Sequence, residues 1–237
     1  DQVLTWLDLP VAQRPALTTL YFDIVDTMGH HHGPDAPQTL EAMASVDASV
    51  GRLAEGLKAR GLYENTVLVV VSDHGMAATS PDRVTVLDDI VDPEAVQIVY
   101  GGPVTFLNPV AGREAEVEQA LLGSRPHLDC WRKSEIPARL VLGSNPRVSA
   151  IVCASEPGWL LATRARPVTK PGGAHGYDNA APEMQAIFIA HGPGVIAGRR
   201  LQNLDSVDVQ PFLARLLGVT APRGDGRPED TLAVTQR

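Results

Sequence analysis

Three short segments concentrate the side chains able to hold a cation: DTMGH at 26–30, SDHG at 72–75 and HGYDN at 175–179. Asp26, His30, Asp73, His74 and His175 supply imidazole nitrogens and carboxylate oxygens, each beside a glycine and a stretch that reads as a strand. Mixed imidazole and carboxylate ligation suits zinc, iron or manganese, whereas calcium and magnesium take all-oxygen sets. Three histidines and two aspartates exceed the three protein ligands of one open zinc site, so the set implies two adjacent metals. Singly, each segment has a plainer explanation: Asp26 and His30 as a hydrogen-bonded loop pair, His175 as a turn histidine, Asp178-Asn179 as a helix cap or Asx turn. Their joint placement at three strand ends argues for a site. His31 and His32 are expected in solvent, and His127 and His191 are read as structural, without acidic company.

These groups need a scaffold. Residues 67–71 are an unbroken Val/Leu run leading into Ser72-Asp73-His74-Gly75. Such a run reads as a strand buried on both faces, in the middle of a parallel sheet with helices on either side. Open α/β sheets place ligands outside the carboxyl ends of their strands, where Asp73 and His74 would lie, and Gly75 permits a sharp turn beside them. Residues 17–25, LTTLYFDIV, predict a second strand ending at Asp26. Between the two, Leu40, Met43, Val46, Val50, Leu53 and Leu57 repeat at helical spacing, with Gly61 as the stop. Strand, helix and strand make a βαβ unit with parallel strands, so Asp26 and Asp73-His74 are expected on one rim.

Elsewhere the signals are shorter. Residues 1–16 read as an extended connector punctuated by Pro10 and Pro15. Strand-like runs at 84–87, 95–99, 104–107, 128–133 and 148–154, with a helix carrying Val117, Ala120 and Leu121, predict an α+β insert over 79–168. The catalytic core would then occupy 1–78 and 169–237, with 170–174 as the hinge back. A strand is expected over 184–190, then a helix from Val209 to Leu217 with Pro211 in its first turn and Gly218 beyond its end.

The 237 residues carry 20 basic and 28 acidic side chains, a net charge of −8. Without a basic block, a protein that coats nucleic-acid polymers is excluded. A small anionic substrate is not, because bound divalent cations can dominate the local field. No apolar run approaches the roughly 18–20 residues of a membrane span, and no signal peptide is visible. Cys130 and Cys153 are compatible with one disulfide or with two buried thiols.

In this order, YFDIVDTMGHHHGP, VVVSDHGM and GGAHGYDN resemble the signature segments of the nucleotide pyrophosphatase/phosphodiesterase family, within the alkaline phosphatase superfamily. The likeness extends to WLDLP–RP, KSEIPARL and MQAIFIAHGPG. It implies an α/β, alkaline-phosphatase-like fold: a mostly parallel sheet flanked by helices, with a small α+β subdomain inserted. It implies two Zn2+, with Asp26, His30 and His175 on one and Asp73 and His74 on the other. Tyr21 matches a position that packs against the nucleotide base, although as a strand residue it could serve packing alone. The implied reaction is hydrolysis of nucleotide phosphodiester or pyrophosphate bonds through a covalent nucleotidyl-enzyme intermediate.

The family's Thr or Ser nucleophile, a further metal-binding Asp and a phosphate-holding Asn cannot be placed. Thr19 and Thr27 do not sit in the nucleophile's context. The chain is therefore expected to lack the N-terminal part of the catalytic domain, and to have little activity alone. The alternatives are a phosphomonoesterase or phosphonate hydrolase of the same superfamily, and a non-catalytic metal-binding fragment or partner subunit. The resemblance places such proteins outside the cytoplasm, in the periplasm or secreted.

Overall fold

The valine run forms a strand over four of its five residues, but its only neighbour among the described residues runs antiparallel to it. The computed structural model describes residues 1–142, 145–201 and 204–235. Its helices are α1 (Gln2–Leu7), α2 (Ile24–His32), α3 (Pro37–Ala59), α4 (Glu114–Leu121) and α5 (Val209–Leu217). Its strands are β1 (Leu68–Val71), β2 (Ala77–Thr79), β3 (Val84–Val86), β4 (Val96–Tyr100), β5 (Val104–Pro109), β6 (Gly123–Arg125), β7 (Leu128–Arg132), β8 (Ile151–Ser155), β9 (Leu160–Ala162), β10 (Gly172–Ala174) and β11 (Phe188–His191). The chain divides into two compact units, one of residues 1–22, 45–73 and 186–237, the other of 23–44 and 74–185.

In the first unit β1 pairs with β11, Val70 facing Ile189 and Val71 facing Phe188. Phe188 meets the buried ring of Phe212, on α5, edge to face at 5.2 Å. Helix α5 has the expected span, and Gly218 closes it in the left-handed conformation at φ +68°. The valine run is not buried on both faces, since Val71 is 48% and Ile189 is 60% exposed. At the N-terminus, α1 and a 3-10 turn at Val11–Gln13 replace the expected extended connector. Leu4 of α1 fills the space where a Cβ on Gly56 would project, and Arg60 forks onto the carboxylate of Asp8 at 2.7 Å.

The strand predicted over residues 17–25 does not form. Residues 15–23 lack regular structure, and α2 begins at Ile24, with the Asp23 carbonyl accepting from Thr27 N–H. β-Branched and aromatic residues favour a strand only where a neighbour offers pairing and burial. No described strand pairs with this stretch, and Tyr21 is 76% exposed. The βαβ crossover is therefore absent, and with it the parallel order deduced from it. Among the described strand pairs only β3 with β9 is parallel.

The second unit contains an antiparallel sheet in the order β4-β5-β8-β7-β6. Val117 and Leu121 of α4 pack with Leu107, Leu128 and Ile151 of the sheet in a buried apolar cluster. Cys130 and Cys153, direct partners across β7 and β8, form a disulfide. Residues 170–174, read as a hinge, instead provide β10, which pairs with β2. Two glycines allow this: a Cβ on Gly172 would stand 2.4 Å from the His30 carbonyl, and one on Gly173 2.5 Å from that of Gly29. Helix α2 thus crosses β10 at backbone distance.

Candidate metal centre

That close crossing brings α2 and the end of β10 to one point of the second unit. Asp26 lies in the first turn of α2 and His30 one turn later, so the two share a face of the helix. His175 directly follows β10. His30 Nε2 is 3.5 Å and His175 Nε2 is 3.6 Å from the same oxygen, Oδ1 of Asp26. One ligand atom from each of the three side chains lies within 4.8 Å of the other two.

His30 Nδ1 lies 2.8 Å from the carbonyl oxygen of Gly173. A carbonyl only accepts, so this nitrogen carries the proton, and in the neutral ring Nε2 turns a lone pair toward Asp26. Asp26 Oδ1 is itself buried with no hydrogen-bond partner. A buried carboxylate oxygen facing an imidazole lone pair is costly unless a cation lies between them. The donor set and its orphaned oxygen therefore fit a metal ion, and the His30–Gly173 bond is the kind of outer contact that orients a ligating histidine.

His74 joins the cluster through its ring. It stacks on His175 with centroids 3.5 Å apart and planes 10° apart, and its Nδ1 is 2.9 Å from the Gly75 carbonyl. Gly75 is required where it stands, because a Cβ there would lie 2.1 Å from the Glu183 carbonyl. Asp73 and Tyr21 belong to the first unit, Asp73 two residues past β1 and Tyr21 in the unpaired stretch before α2. The structure thus groups Asp26, His30, His74 and His175 within one unit, by way of a helix and a strand end rather than a rim of parallel strands.

Tyr177, Asp178 and Arg139, the last not singled out by the sequence, complete the surroundings. Tyr177 packs with Ala77, Ala174 and Met184, and burial pushes its phenol up to about 12. Asp178 accepts a forked pair of hydrogen bonds from Arg139, the Nη1–Oδ1 arm being 2.8 Å, and a third from the Ala180 amide. The Arg139 guanidinium holds the Asp178 carboxyl below the usual range. The Asp178–Ala180 bond is the Asx turn expected from the sequence, but Arg139, 39 positions away, had no local signal. The doubled glycine of KPGGA was the available hint that a helix crosses there.

Among the other histidines, His31 and His32 are exposed as expected. His127 does have an acidic partner, contrary to the sequence reading: its Nδ1 lies 2.7 Å from Glu156, and its ring stacks on Trp159 at 3.7 Å. Both come from a turn far along the chain. His191 packs against Tyr63 at 5.5 Å.

The sequence model described as "Type I phosphodiesterase / nucleotide pyrophosphatase" matches residues 1–178. Human (Homo sapiens) ectonucleotide pyrophosphatase/phosphodiesterase family member 5 is 34% identical over 228 residues, which are 95% of this chain and 47% of that protein. Bis(5'-adenosyl)-triphosphatase of Bos taurus is 31% identical over 94% of this chain and 49% of that protein. The chain thus spans about half the length of these relatives. The solved structure of murine ectonucleotide pyrophosphatase/phosphodiesterase 5 superposes with a TM-score of 0.91 at 33% identity, covering 99% of this chain and 62% of that one. The same fit holds for an inactive variant of the murine protein in complex with AMP. An α/β fold of the alkaline-phosphatase kind is consistent with these likenesses.

Proposed function

Because the chain belongs to the type I phosphodiesterase/nucleotide pyrophosphatase family, we propose that it is the metal-holding part of a hydrolase cutting nucleotide phosphodiester or pyrophosphate bonds. The observation that carries the reading is the orphaned Asp26 oxygen faced by two imidazole nitrogens at 3.5 and 3.6 Å. Asp26, His30 and His175 hold one Zn2+, and Asp73 and His74 contribute to a second. When bound, the two ions supply Lewis acidity and neutralise charge on the transferring phosphoryl group.

The chain's own residues do the rest of the positioning. The Gly173 carbonyl fixes the tautomer of His30 and so the direction of its ligating nitrogen. The stack of His74 on His175 keeps both rings from turning. Tyr21 offers an exposed aromatic face on which a base can stack. AMP in complex with an inactive variant of the murine relative supports a nucleotide as the substrate class. The reaction proceeds through a covalent nucleotidyl-enzyme intermediate on a hydroxyl nucleophile, the leaving group departing as it forms and water then releasing the nucleotide.

The same reading puts the site of action outside the cytoplasm, in the periplasm or secreted. Two observations support this: the Cys130–Cys153 disulfide, a bond that persists in oxidising compartments, and the likeness to a human ectonucleotide pyrophosphatase/phosphodiesterase, by its name an ectoenzyme.

The test has two arms. Equilibrium dialysis of the purified chain against zinc, with metal analysis, is expected to show binding that Asp26→Asn and His175→Ala abolish. Hydrolysis of a nitrophenyl nucleotide ester is expected to be negligible for these 237 residues alone. Zinc binding indifferent to both substitutions would sink the site, and family-like activity of these residues alone would overturn the expectation that the nucleophile is not among them.

A further inference from the structure

Residues 175–178 point four successive units in four directions. His175 turns its Nε2 to Asp26, and Gly176 reverses the backbone at φ +93° with nothing within 4 Å of where its Cβ would be. Tyr177 drops into an apolar cluster, and Asp178 reaches out to Arg139. The loop is therefore tied inward by one ring and outward by one ion pair, with an unpacked glycine between His175 and both ties.

Arg139 is well placed to act as a fixed post. It sits in the 3-10 turn Ala138–Leu140, entered through Pro137 and left through Val141 in the left-handed conformation at φ +49°. Proline restricts the backbone on one side of the turn, and Val141 Nα–H closes it by donating to the Ala138 carbonyl. The guanidinium meets both carboxylate oxygens at once, a geometry that fixes direction as well as distance and that a lysine ammonium does not reproduce. Both side chains are substantially exposed, Arg139 at 56% and Asp178 at 36%. An ion pair in that setting contributes little to global stability. Its effect is on orientation.

We propose that Arg139 is a positioning residue for the cation site, acting on His175 through the carboxylate of Asp178. The inference rests on the reading of Asp26, His30 and His175 as metal ligands. Without the fork, Asp178 keeps only the Ala180 amide, and the turn after Gly176 is anchored by Tyr177 alone. The ring of His175 is then held less closely in the direction in which it faces Asp26.

The test uses the purified 237-residue chain titrated with Co2+ as a spectroscopic probe, followed by displacement with Zn2+. Wild type is expected to give a ligand-field band, and Arg139→Ala to bind Co2+ more weakly, by up to about the tenfold that marks the low end for removing a direct outer contact of a metal ligand, because Arg139 acts one residue further out. The band of Arg139→Ala should also change shape, while the urea midpoint of its metal-free form stays that of wild type. Arg139→Lys should recover only part of the affinity. If wild type binds no Co2+, the ligand reading fails and this inference with it. If wild type binds, and Arg139→Ala matches it in affinity and spectrum, only the role of Arg139 fails. A fall in the metal-free midpoint that accounts for the lost affinity would make Arg139 structural and overturn the proposal, and full recovery with lysine would overturn the forked geometry as its basis.

Discussion

The imidazoles of His74 and His175 lie face to face, 3.5 Å between centroids and 10° from parallel. One ring comes from the loop after β1, the other from the end of β10, 101 positions later in the chain by the difference of their numbers. Neither can rotate about its side-chain bonds without breaking the stack. Two segments far apart in the sequence thus present their imidazoles stacked together.

The orphaned carboxylate leads to the first prediction. In urea unfolding monitored by circular dichroism, zinc at a hundred times its dissociation constant should stabilise the wild-type chain by about 2.7 kcal/mol. Asp26→Asn should lose most of that gain. Its metal-free form should unfold at or above the wild-type midpoint, because the substitution removes the charge from a carboxylate whose Oδ1 is buried without a hydrogen bond.

Gly173 is expected to tolerate no side chain. The Cβ of Gly173→Ala would meet the Gly29 carbonyl at 2.5 Å and Met76 Sδ at 2.7 Å, so α2 must retreat from β10. Overpacking of this kind costs about 1–3 kcal/mol. Denaturant titration should register that loss, and metal titration a weakened site, since the same crossing sets the His30–Gly173 bond. Unchanged stability would mean that the backbone approach is looser than described.

The disulfide closes a loop with a sequence separation of 23 between the two middle-sheet strands β7 and β8. A loop of that size restricts the unfolded chain enough for the bond to contribute about 3 kcal/mol. Unfolding of the Cys130→Ala/Cys153→Ala double variant should show a deficit of this order. Reducing agent should have a comparable effect on wild type and none on the variant.

Alkaline pH should act through Tyr177. Burial raises its phenol from the ordinary value near 10 to about 12 in the folded chain. The unfolded chain therefore gives up this proton first, and stability from the group, full below pH 10, falls as pH rises through the window up to about 12. Tyr177→Phe should flatten that part of the stability profile measured by urea titration between pH 9 and 11, about a unit either side of the ordinary value. An unchanged slope would show that the hydroxyl is not the titrating group.

Much was legible in the sequence where the signal is local. The six apolar positions from Leu40 to Leu57 announced α3, and Pro211 with Gly218 bracketed α5, because helix periodicity and caps are written within a few residues. The identity of the chemistry-bearing residues was local too, since Asp26, His30, His74 and His175 stand beside glycines in short recognisable segments. What failed was pairing. LTTLYFDIV has strand composition, yet with no strand pairing to it among the described residues it stays irregular and turns helical at Ile24. Composition records a preference, and a partner elsewhere in the chain decides whether it is realised.

By itself, then, the sequence picked out the side chains whose chemistry suits a cation and carried the resemblance to the family. Only tertiary structure decided that Asp26 and His30 reach His175 by a helix crossing a strand of glycines, and that Arg139 stands behind Asp178. The physical reason is range. Turn, cap and ligand chemistry depend on neighbours in sequence, whereas backbone contact at 2.4–2.5 Å from an imagined Cβ and a forked ion pair across 39 positions depend on how distant segments pack.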